Sequence, residues 1–250
     1  MSNPYYQSND NYKYNFSHDY YHDPESTIDS FDKELRKGFI TKVYGILSSQ
    51  LLLTVIFCAF SMSSKEFSDF QKNNTFLFIL CLIMTIVIPI VIICFKSIMS
   101  NVPYNYLILL AFTICESYLV SFICSVSKPE LVFMAAFMTL AICISLTIYA
   151  FTTKTDFTIQ GGSIFLFGCG LMLFSIFGLF TNNNIFHIII CIAGAILFGI
   201  YLIYDTQLII GNKELKLEID DYILAAFMLY IDIINIFLYL LEILQRLNRE

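Results

Sequence analysis

The sequence predicts an all-α, polytopic membrane protein with seven transmembrane helices. Of its 250 residues, 58% are hydrophobic and 14% are charged, whereas a soluble domain has roughly 45 to 50% and about 25%. The apolar residues form long blocks, and seven blocks reach the ~20 residues that a transmembrane helix needs. The net charge of −6 argues against nucleic acid as a partner, because phosphate binding requires dense positive charge.

The chain begins with a polar segment, residues 1–34, rich in Tyr, Asn, Asp and Ser. We predict a disordered cytosolic tail here, because the segment has too few aliphatic residues to form a core. The tail is either an inert leader or a Tyr-based recruitment segment, and its composition specifies no partner. We predict no cleavable signal peptide, since the first 30 residues are polar. Residues 35–250 are predicted to form the membrane domain.

The predicted spans lie at residues 43–62, 76–95, 104–126, 130–152, 161–181, 185–210 and 222–244. The connections are short, so sequential helices should be antiparallel neighbours. Small residues predict close helix contacts in the fifth and sixth spans, at Gly168, Gly170, Ala195 and Gly199.

The seventh span carries one polar, acidic stripe. At about 100° per residue, Asp221 and Tyr239 each point within about 20° of Asp232, and Asn235 within roughly 80°. A helix that is polar on one face and surrounded by apolar spans should lie at the centre of the bundle. We therefore predict that the seventh helix is central.

The orientation follows from counting Lys and Arg on each side of the seven spans. The side that holds the N-terminus has nine, and the other side has five. Arg36, Lys37 and Lys42 lie directly beside the first span, where the bias has most effect. We predict a cytosolic N-terminus and a luminal or external C-terminus, although one helix that failed to cross would return the C-terminus to the cytosol.

The eight cysteines lie inside apolar blocks and form no CxxC pair. They are typical of small, soft hydrophobic residues. A zinc or redox site would need clustered thiols with His or carboxylate partners, and the three histidines offer no such spacing. We therefore predict no metal–thiolate site and no cofactor.

Four carboxylates lie within the spans: Glu116, Asp205, Asp232 and Glu242. No Lys or Arg lies at a comparable depth in the sequence to neutralise them. An ionisable residue near the bilayer centre costs several kcal/mol and by default indicates a functional site. Glu242 lies within about two turns of the helix end, so we expect its carboxylate to reach the interface.

Asp205 and Asp232 should lie at similar depths, about 8 to 15 Å from the cytosolic boundary at 1.5 Å per residue. Two carboxylates that share a buried site cannot both ionise cheaply, so the pair retains a proton near neutral pH. When protonated, the pair would bridge its two helices. When deprotonated, it would repel itself and offer oxygen ligands that suit transient Ca²⁺ binding.

Five segments of the sequence form recognisable motifs: FITKVYGILSSQLLLT at 39–54, AFTICES at 111–117, LTIYAFTTKTDFT at 146–158, IYDTQ at 203–207 and DDYILAAFMLYIDIINIFLYLLEIL at 220–244. They resemble motifs of the transmembrane Bax inhibitor motif family, in particular its lifeguard branch and the Golgi anti-apoptotic proteins. The resemblance extends from Arg36 to about Glu242.

The resemblance implies a seven-helix fold with the last helix at its centre, and a Ca²⁺ leak from internal stores coupled to suppression of cell death. The family's two-aspartate pH sensor matches Asp205 and Asp232. Its cation path matches the acidic pair Asp220 and Asp221, where the family usually has two glutamates, and Glu116.

A basic residue that latches the sensor in bacterial relatives matches Lys96, although Lys lacks the bidentate geometry of Arg. We add Asn235, on the stripe of the last span, to the predicted cation path. The predicted location is a Golgi or endoplasmic reticulum membrane.

Other functions remain open at this point. An intramembrane aspartyl protease also has a YD on its sixth helix, but its GxGD and PAL motifs are missing here, so we predict no enzyme. A seven-helix receptor would carry DRY and NPxxY motifs. A proton-coupled transporter is an alternative, although no internal repeat is visible. A second alternative is a non-conducting scaffold that binds death-regulatory membrane proteins. A homo-oligomer is compatible with the transporter and with the scaffold.

Overall fold

The computed structural model describes residues 24–95, 102–181 and 183–248. Its contacts divide the chain into two units, residues 1–34 and 35–250. In the first unit the described residues, 24–34, are helical, whereas we predicted disorder up to residue 34. The rest of the predicted tail, residues 1–23, lies outside the described residues.

Eight α-helices form the described part of the chain. They are α1 (Pro24–Ser63), α2 (Lys65–Asn73), α3 (Thr75–Cys94), α4 (Tyr104–Ser125), α5 (Pro129–Thr152), α6 (Gly161–Gly178), α7 (Asn184–Ile210) and α8 (Tyr222–Leu247). Short 3-10 turns at Thr158–Gln160 and Ile219–Asp221 precede α6 and α8. Seven of the helices, all except α2, are long and apolar enough to span a membrane. The all-α fold with seven spans is thus confirmed.

Local signals in the sequence fix several helix ends. Pro129 occupies the first turn of α5, where a missing N–H costs nothing. The Asn183 side chain accepts hydrogen bonds from the backbone N–H groups of Ile185 and Phe186 at the start of α7. Gly211 ends α7 with a φ of +70°, a left-handed conformation that glycine adopts without steric cost.

The connection between the first two spans contains the helix α2, where the sequence predicted only a polar segment. Ser64 caps its start by accepting a hydrogen bond from the N–H of Phe67. Ser68 and Gln71 are buried. The Gln71 amide contacts Ser61 of α1 and Ser121 of α4, so polar groups attach this amphipathic helix to the bundle.

Side-chain contacts define two faces of the membrane domain. We call the side with Arg36, residues 153–160 and residues 211–221 the near face, and the side with α2, the α4–α5 turn and the end of α8 the far face. Gln245 of α8 donates to Ser127, and Arg246 donates to Asn184. The C-terminal end of α8 therefore lies on the side opposite Arg36, as seven antiparallel spans require.

The last span is the most buried one. Of its most apolar window, 61% is buried, compared with 50% for α4 and 11% for α6. It packs against α4, α5 and α7, and Tyr230 also reaches α1 through Thr54. These contacts support the predicted central position of this helix, which stays a prediction.

Glycines provide close helix contacts at only some of the predicted positions. A Cβ on Gly168 would lie 3.1 Å from the Tyr201 side chain, and one on Gly199 would lie 3.1 Å from the Leu146 side chain. A Cβ on Gly170 would meet nothing within 4 Å. The tightest contact is at Gly194, where a Cβ would lie 2.5 Å from the Tyr239 ring. The prediction at Gly170 was thus wrong, because this glycine faces open space.

Candidate functional site

The carboxyl groups of Asp205 and Asp232 meet between α7 and α8. Asp205 lies five residues before the end of α7, and Asp232 ten residues after the start of α8. Each is 4% exposed, and their side chains are within hydrogen-bonding reach of each other. A hydrogen bond between two carboxyl groups requires one of them to carry a proton and donate it. The structure thus confirms that the two acids are neighbours.

The pair has spare acceptor capacity. The Oδ2 atom of Asp232 is buried and has no hydrogen-bond partner among the described residues. Among the residues that the structure describes, no Lys or Arg forms an ion pair with either carboxyl group. A buried carboxylate without a cation is costly, so the site favours a proton or a bound cation.

Asp205 also lines a cleft of about 560 Å³ between α6, α7 and α8. The cleft wall is mostly apolar, and its polar side chains include Tyr201, Tyr204 and Ser175. Tyr201 and Tyr204 both interact electrostatically with Asp205. The pair therefore adjoins a space of several water volumes on the α6 side of the two helices.

Gln207 closes the near-face side of the site. Its side-chain carbonyl accepts a hydrogen bond from the N–H of Phe157 at 2.8 Å, and its amide donates to the carbonyl of Thr155 at 2.9 Å. Gln207 is fully buried and lies only two residues beyond Asp205. The connection between α5 and α6 is thereby attached directly to the helix that carries Asp205.

The α5–α6 and α7–α8 connections are also joined to each other. Asp156 accepts hydrogen bonds from Thr158 and from the N–H of Glu214. Lys213 donates to the carbonyls of Thr153 and Lys154, both at 3.1 Å. We call residues 153–160 and 211–218 together the near-face cover.

Hydrogen bonds within the near-face cover also affect the charge of Asp156. The pKa of the Asp156 carboxyl group is lowered below its usual value, mainly by the hydrogen bond from the Thr158 side chain. Hydrogen bonds from backbone N–H groups and the charge of Lys213 lower this pKa further. Asp156 therefore stays ionised at neutral pH and continues to accept these bonds.

A second polar cluster lies on the side of α8 that faces α1 and α4. The Thr54 hydroxyl is 2.9 Å from Ser117 and 2.8 Å from Tyr230, and Gln50 donates to Thr113 at 3.0 Å. All five side chains are buried. These hydrogen bonds hold α1 against α4 and α8, although the Oε1 atom of Gln50 is buried without a hydrogen-bond partner among the described residues.

Three other predicted site residues lie on α4 or in the turn before α8, outside the stretches of α7 and α8 that carry the aspartate pair. Asp220 is exposed, and Asp221 is buried at the N-cap of α8. Glu116 of α4 is partly buried and interacts electrostatically with Tyr230. The structure therefore places Glu116 toward the second polar cluster, and Asp220 and Asp221 at the near face.

Two further predictions concern Asn235 and Lys96. Asn235 donates to the carbonyl of Ile231 in its own helix at 2.8 Å, so its amide is used locally. Lys96, the predicted latch, lies outside the described residues.

From the sequence we expected no basic partner for Glu242, but the structure shows one. Arg246, one turn later in α8, donates from Nε and Nη2 to the same Glu242 oxygen at 2.9 and 2.8 Å. The ion pair is partly exposed and lies at the far-face end of the helix. The count of unneutralised acids in the spans is thus three rather than four.

The aspartate pair supplies few ligands for a resident metal. Among the described residues, no three or more His, Cys, Asp or Glu side chains form a group that could hold an ion. Ca²⁺ takes about six to eight oxygen ligands. The two carboxyl groups therefore fit an ion that passes through with its water better than a permanently bound one.

The sequence did not reveal the roles of several polar residues in the bundle and at the near face. Gln207 stands in the same IYDTQ motif as Asp205, and Gln50 and Thr54 are polar residues one helical turn apart in an apolar span. Both signals were visible in the sequence. Arg36 was interpreted only as a topology signal, although its Nη1 atom donates to the carbonyl of Leu217 at 2.9 Å.

The fold and the site define a seven-span membrane protein with a buried acidic pair between its last two spans. A family model described as "Inhibitor of apoptosis-promoting Bax1" matches residues 36–249. The chain therefore belongs to the Bax inhibitor family, which confirms the resemblance drawn from its motifs.

Curated relatives carry the lifeguard name. Protein lifeguard 3 of Mus musculus is 31% identical to this chain, and the match covers 92% of this chain and 77% of the mouse protein. Protein lifeguard 3 of Homo sapiens is also 31% identical, and the match covers 92% of this chain and 78% of the human protein. Protein lifeguard 4 of Mus musculus is 31% identical over 90% of this chain and 92% of its own length.

Proposed function

We propose that this protein is a pH-sensitive Ca²⁺ leak channel that lowers store Ca²⁺ and inhibits apoptosis. The observation that carries this proposal is the buried contact between Asp205 and Asp232, in which one carboxylate oxygen has no hydrogen-bond partner among the described residues. The family to which the chain belongs is described as inhibiting an apoptosis-promoting protein, which supports the cellular part of the proposal.

The gate is the hydrogen bond between the two carboxyl groups. At low pH the pair holds at least one proton, and the bond joins α7 to α8. As the pH rises, the last shared proton leaves, and two negative charges at close range repel each other. The helices then separate, and the carboxylate oxygens become ligands for a hard cation. The leak therefore increases as the pH rises.

Acidic residues at the near face attract the cation. Asp220 and Asp221 lie together in the turn before α8, and they raise the local cation concentration at this side of the protein. Glu116 supplies a further partly buried acid on α4. Residues 211–218 of the near-face cover connect the helix that carries Asp205 to this acidic turn, so this part of the cover moves when the channel opens.

We place the channel in a Golgi or endoplasmic reticulum membrane with the near face toward the cytosol. The larger number of Lys and Arg on that side supports the orientation. The location follows from the proposed activity, because a leak that lowers store Ca²⁺ must lie in the membrane of the store.

Purified full-length protein in liposomes loaded with a Ca²⁺ dye tests the proposal. We expect Ca²⁺ influx above that of protein-free liposomes at neutral pH, and a reduction of at least about tenfold in Asp205→Asn, which cannot acquire the second charge. Asp69→Asn, an exposed acid on α2, is the matched control and should leave the flux unchanged.

Absence of flux from the wild-type protein, with the reconstituted protein shown to be folded by its thermal transition, would contradict the channel and favour a non-conducting scaffold. Ca²⁺ flux that occurs only with an opposing proton gradient would favour a proton-coupled transporter instead.

A further inference from the structure

Two cysteines of α4 each meet a cysteine of another span. Cys124 and Cys58 of α1 line the same cavity, with their thiols close to each other, and Cys115 packs beside Cys81 of α3. Nine residues separate Cys115 from Cys124, so at about 100° per residue they point to opposite sides of α4. All four are free thiols.

The pair formed by Cys58 and Cys124 borders a cavity. This space of about 610 Å³ lies between α1, α4, α5 and α8, and it extends to Ser63 and Pro129 at the far face. Cys124 is fully buried, and Cys58 is partly buried. A small uncharged molecule can therefore approach the partly buried Cys58 from the far face, with Cys124 buried beside it.

The second pair has different surroundings. Cys81 belongs to a buried cluster with Tyr118 and Leu119, and Cys115 packs against that cluster. Of these four cysteines, Cys58 and Cys124 line this cavity, which Cys143 of α5 also borders, whereas Cys81 and Cys115 do not line it. Cys81 and Cys115 serve as an internal comparison.

Cys58 and Cys124 also continue the second polar cluster toward the far face. Cys58 follows Thr54 by one helical turn, and Cys124 follows Ser117 by two turns. Since Thr54 and Ser117 already contact each other, the cysteines extend the same α1–α4 seam. A covalent bond at this point would secure α1, which the cluster otherwise holds by hydrogen bonds.

We propose that Cys58 and Cys124 form a reversible disulfide, with a peroxide as the oxidant, and that this bond locks α1 onto α4. The Cys58 sulfur attacks one peroxide oxygen, the O–O bond breaks, and Cys58 becomes a sulfenic acid with release of one water. The Cys124 sulfur then attacks the Cys58 sulfur, and the S–O bond breaks with release of a second water. Two thiols and one hydrogen peroxide thus give one disulfide and two waters.

The geometry suits this reaction. The two sulfur atoms must close to about 2.05 Å, and the cavity beside Cys58 leaves room for its side chain to rotate. The bond would join residues 66 positions apart in the sequence, a large loop whose closure strongly restricts the unfolded chain. The cross-link should therefore stabilise the protein as well as fix the helix.

The full-length protein in detergent, treated with hydrogen peroxide and digested without reduction, tests the proposal by mass spectrometry. We expect a linked peptide that joins Cys58 to Cys124 and forms at least about tenfold faster than any link between Cys81 and Cys115, because peroxide reaches the first pair through the cavity. The melting temperature should rise by about 5 °C or more and return after treatment with dithiothreitol.

Cys58→Ser and Cys58→Ala should both abolish this reversible rise, and Cys94→Ser, at an exposed cysteine of α3, should retain it. The two Cys58 variants guard against a folding defect specific to one of them. The proposal is overturned if the only link formed joins Cys81 to Cys115, if Cys58 is oxidised to sulfinic acid without a linked peptide, or if both Cys58 variants keep the rise.

Discussion

Arg36 and Leu217 lie 181 residues apart in the sequence, and the Arg36 guanidinium donates to the Leu217 carbonyl at 2.9 Å. The same guanidinium approaches the carbonyl of Ile209 at 3.4 Å and lies against Gly211. Ile209 lies in the last turn of α7, where the helix dipole favours a positive charge, and Leu217 follows the end of that helix. Arg36 thus ties the first span to the near-face cover, directly beyond the helix that carries Asp205.

Replacement of Arg36 should loosen the 211–218 part of the near-face cover. Hydrogen bonds to charged groups contribute about 1.5 to 3 kcal/mol, and partial exposure of Arg36 favours the lower end of this range. We expect amide hydrogen exchange in residues 211–218 of Arg36→Ala to be about tenfold faster than in the wild type. Lys37→Ala changes an exposed neighbouring charge and should leave the exchange rates as they are.

The bonds that Asp156 accepts should depend on pH. Because its pKa is lowered in the folded protein, its contribution is present above the carboxyl pKa of the unfolded chain and is lost as the pH falls through the folded value. At neutral pH, Asp156→Asn should therefore speed exchange of the Thr158 and Glu214 amides. Below the folded pKa the variant and the wild type should exchange alike.

The control for this experiment is Glu214→Gln. This variant removes an exposed charge but keeps the backbone N–H that donates a hydrogen bond to Asp156. A difference between Asp156→Asn and the wild type that persisted at every pH would show that the carboxylate charge is not what holds the cover.

Tyr230→Phe should destabilise the protein by about 1 kcal/mol, because Thr54 and Tyr230 lose their shared hydrogen bond while the ring stays in place. Thermal unfolding in detergent measures the change. Tyr149→Phe, which alters a more exposed tyrosine of α5, is the matched control. Equal melting temperatures for Tyr230→Phe and the wild type would mean that the second polar cluster does not stabilise the bundle.

Gly194→Ala should cost about 1 to 3 kcal/mol, since the new Cβ would lie 2.5 Å from the Tyr239 ring and force the ring aside. Gly170→Ala makes the same chemical change in a place where the Cβ meets nothing within 4 Å, so it should be neutral or slightly stabilising. Circular dichroism during heating compares the two. A loss of stability in Gly170→Ala as large as that in Gly194→Ala would refute the assigned packing.

The sequence was sufficient to predict the seven spans and the pairing of the two aspartates. Long apolar blocks predict the seven spans. The lengths of the last two helices and their antiparallel arrangement predict that the two aspartates lie at similar depths. It could not reveal that Gln207 reaches Phe157, or that Arg36 reaches Leu217, because such contacts depend on the path of the connecting loops. Gly170 and Gly194 illustrate the same limit, since only the packed structure shows which glycine faces a ring.

The pairing of Cys58 with Cys124 was equally hidden. The spacing of the cysteines in the sequence indicated only apolar residues, because the partner of each thiol lies on a different span. Helix α2 was overlooked for another reason, since its nine residues are too polar to resemble a span.

The pH dependence of Ca²⁺ flux in Asp232→Asn liposomes tests the central claim most directly. Wild-type protein and the Asp69→Asn control should both show flux that rises as the pH increases through neutrality, because the shared proton leaves the pair. Asp232→Asn cannot form a doubly charged pair, so its flux should stay low and nearly independent of pH. A wild-type pH profile in Asp232→Asn would contradict the proposal that the contact between Asp205 and Asp232 is the gate.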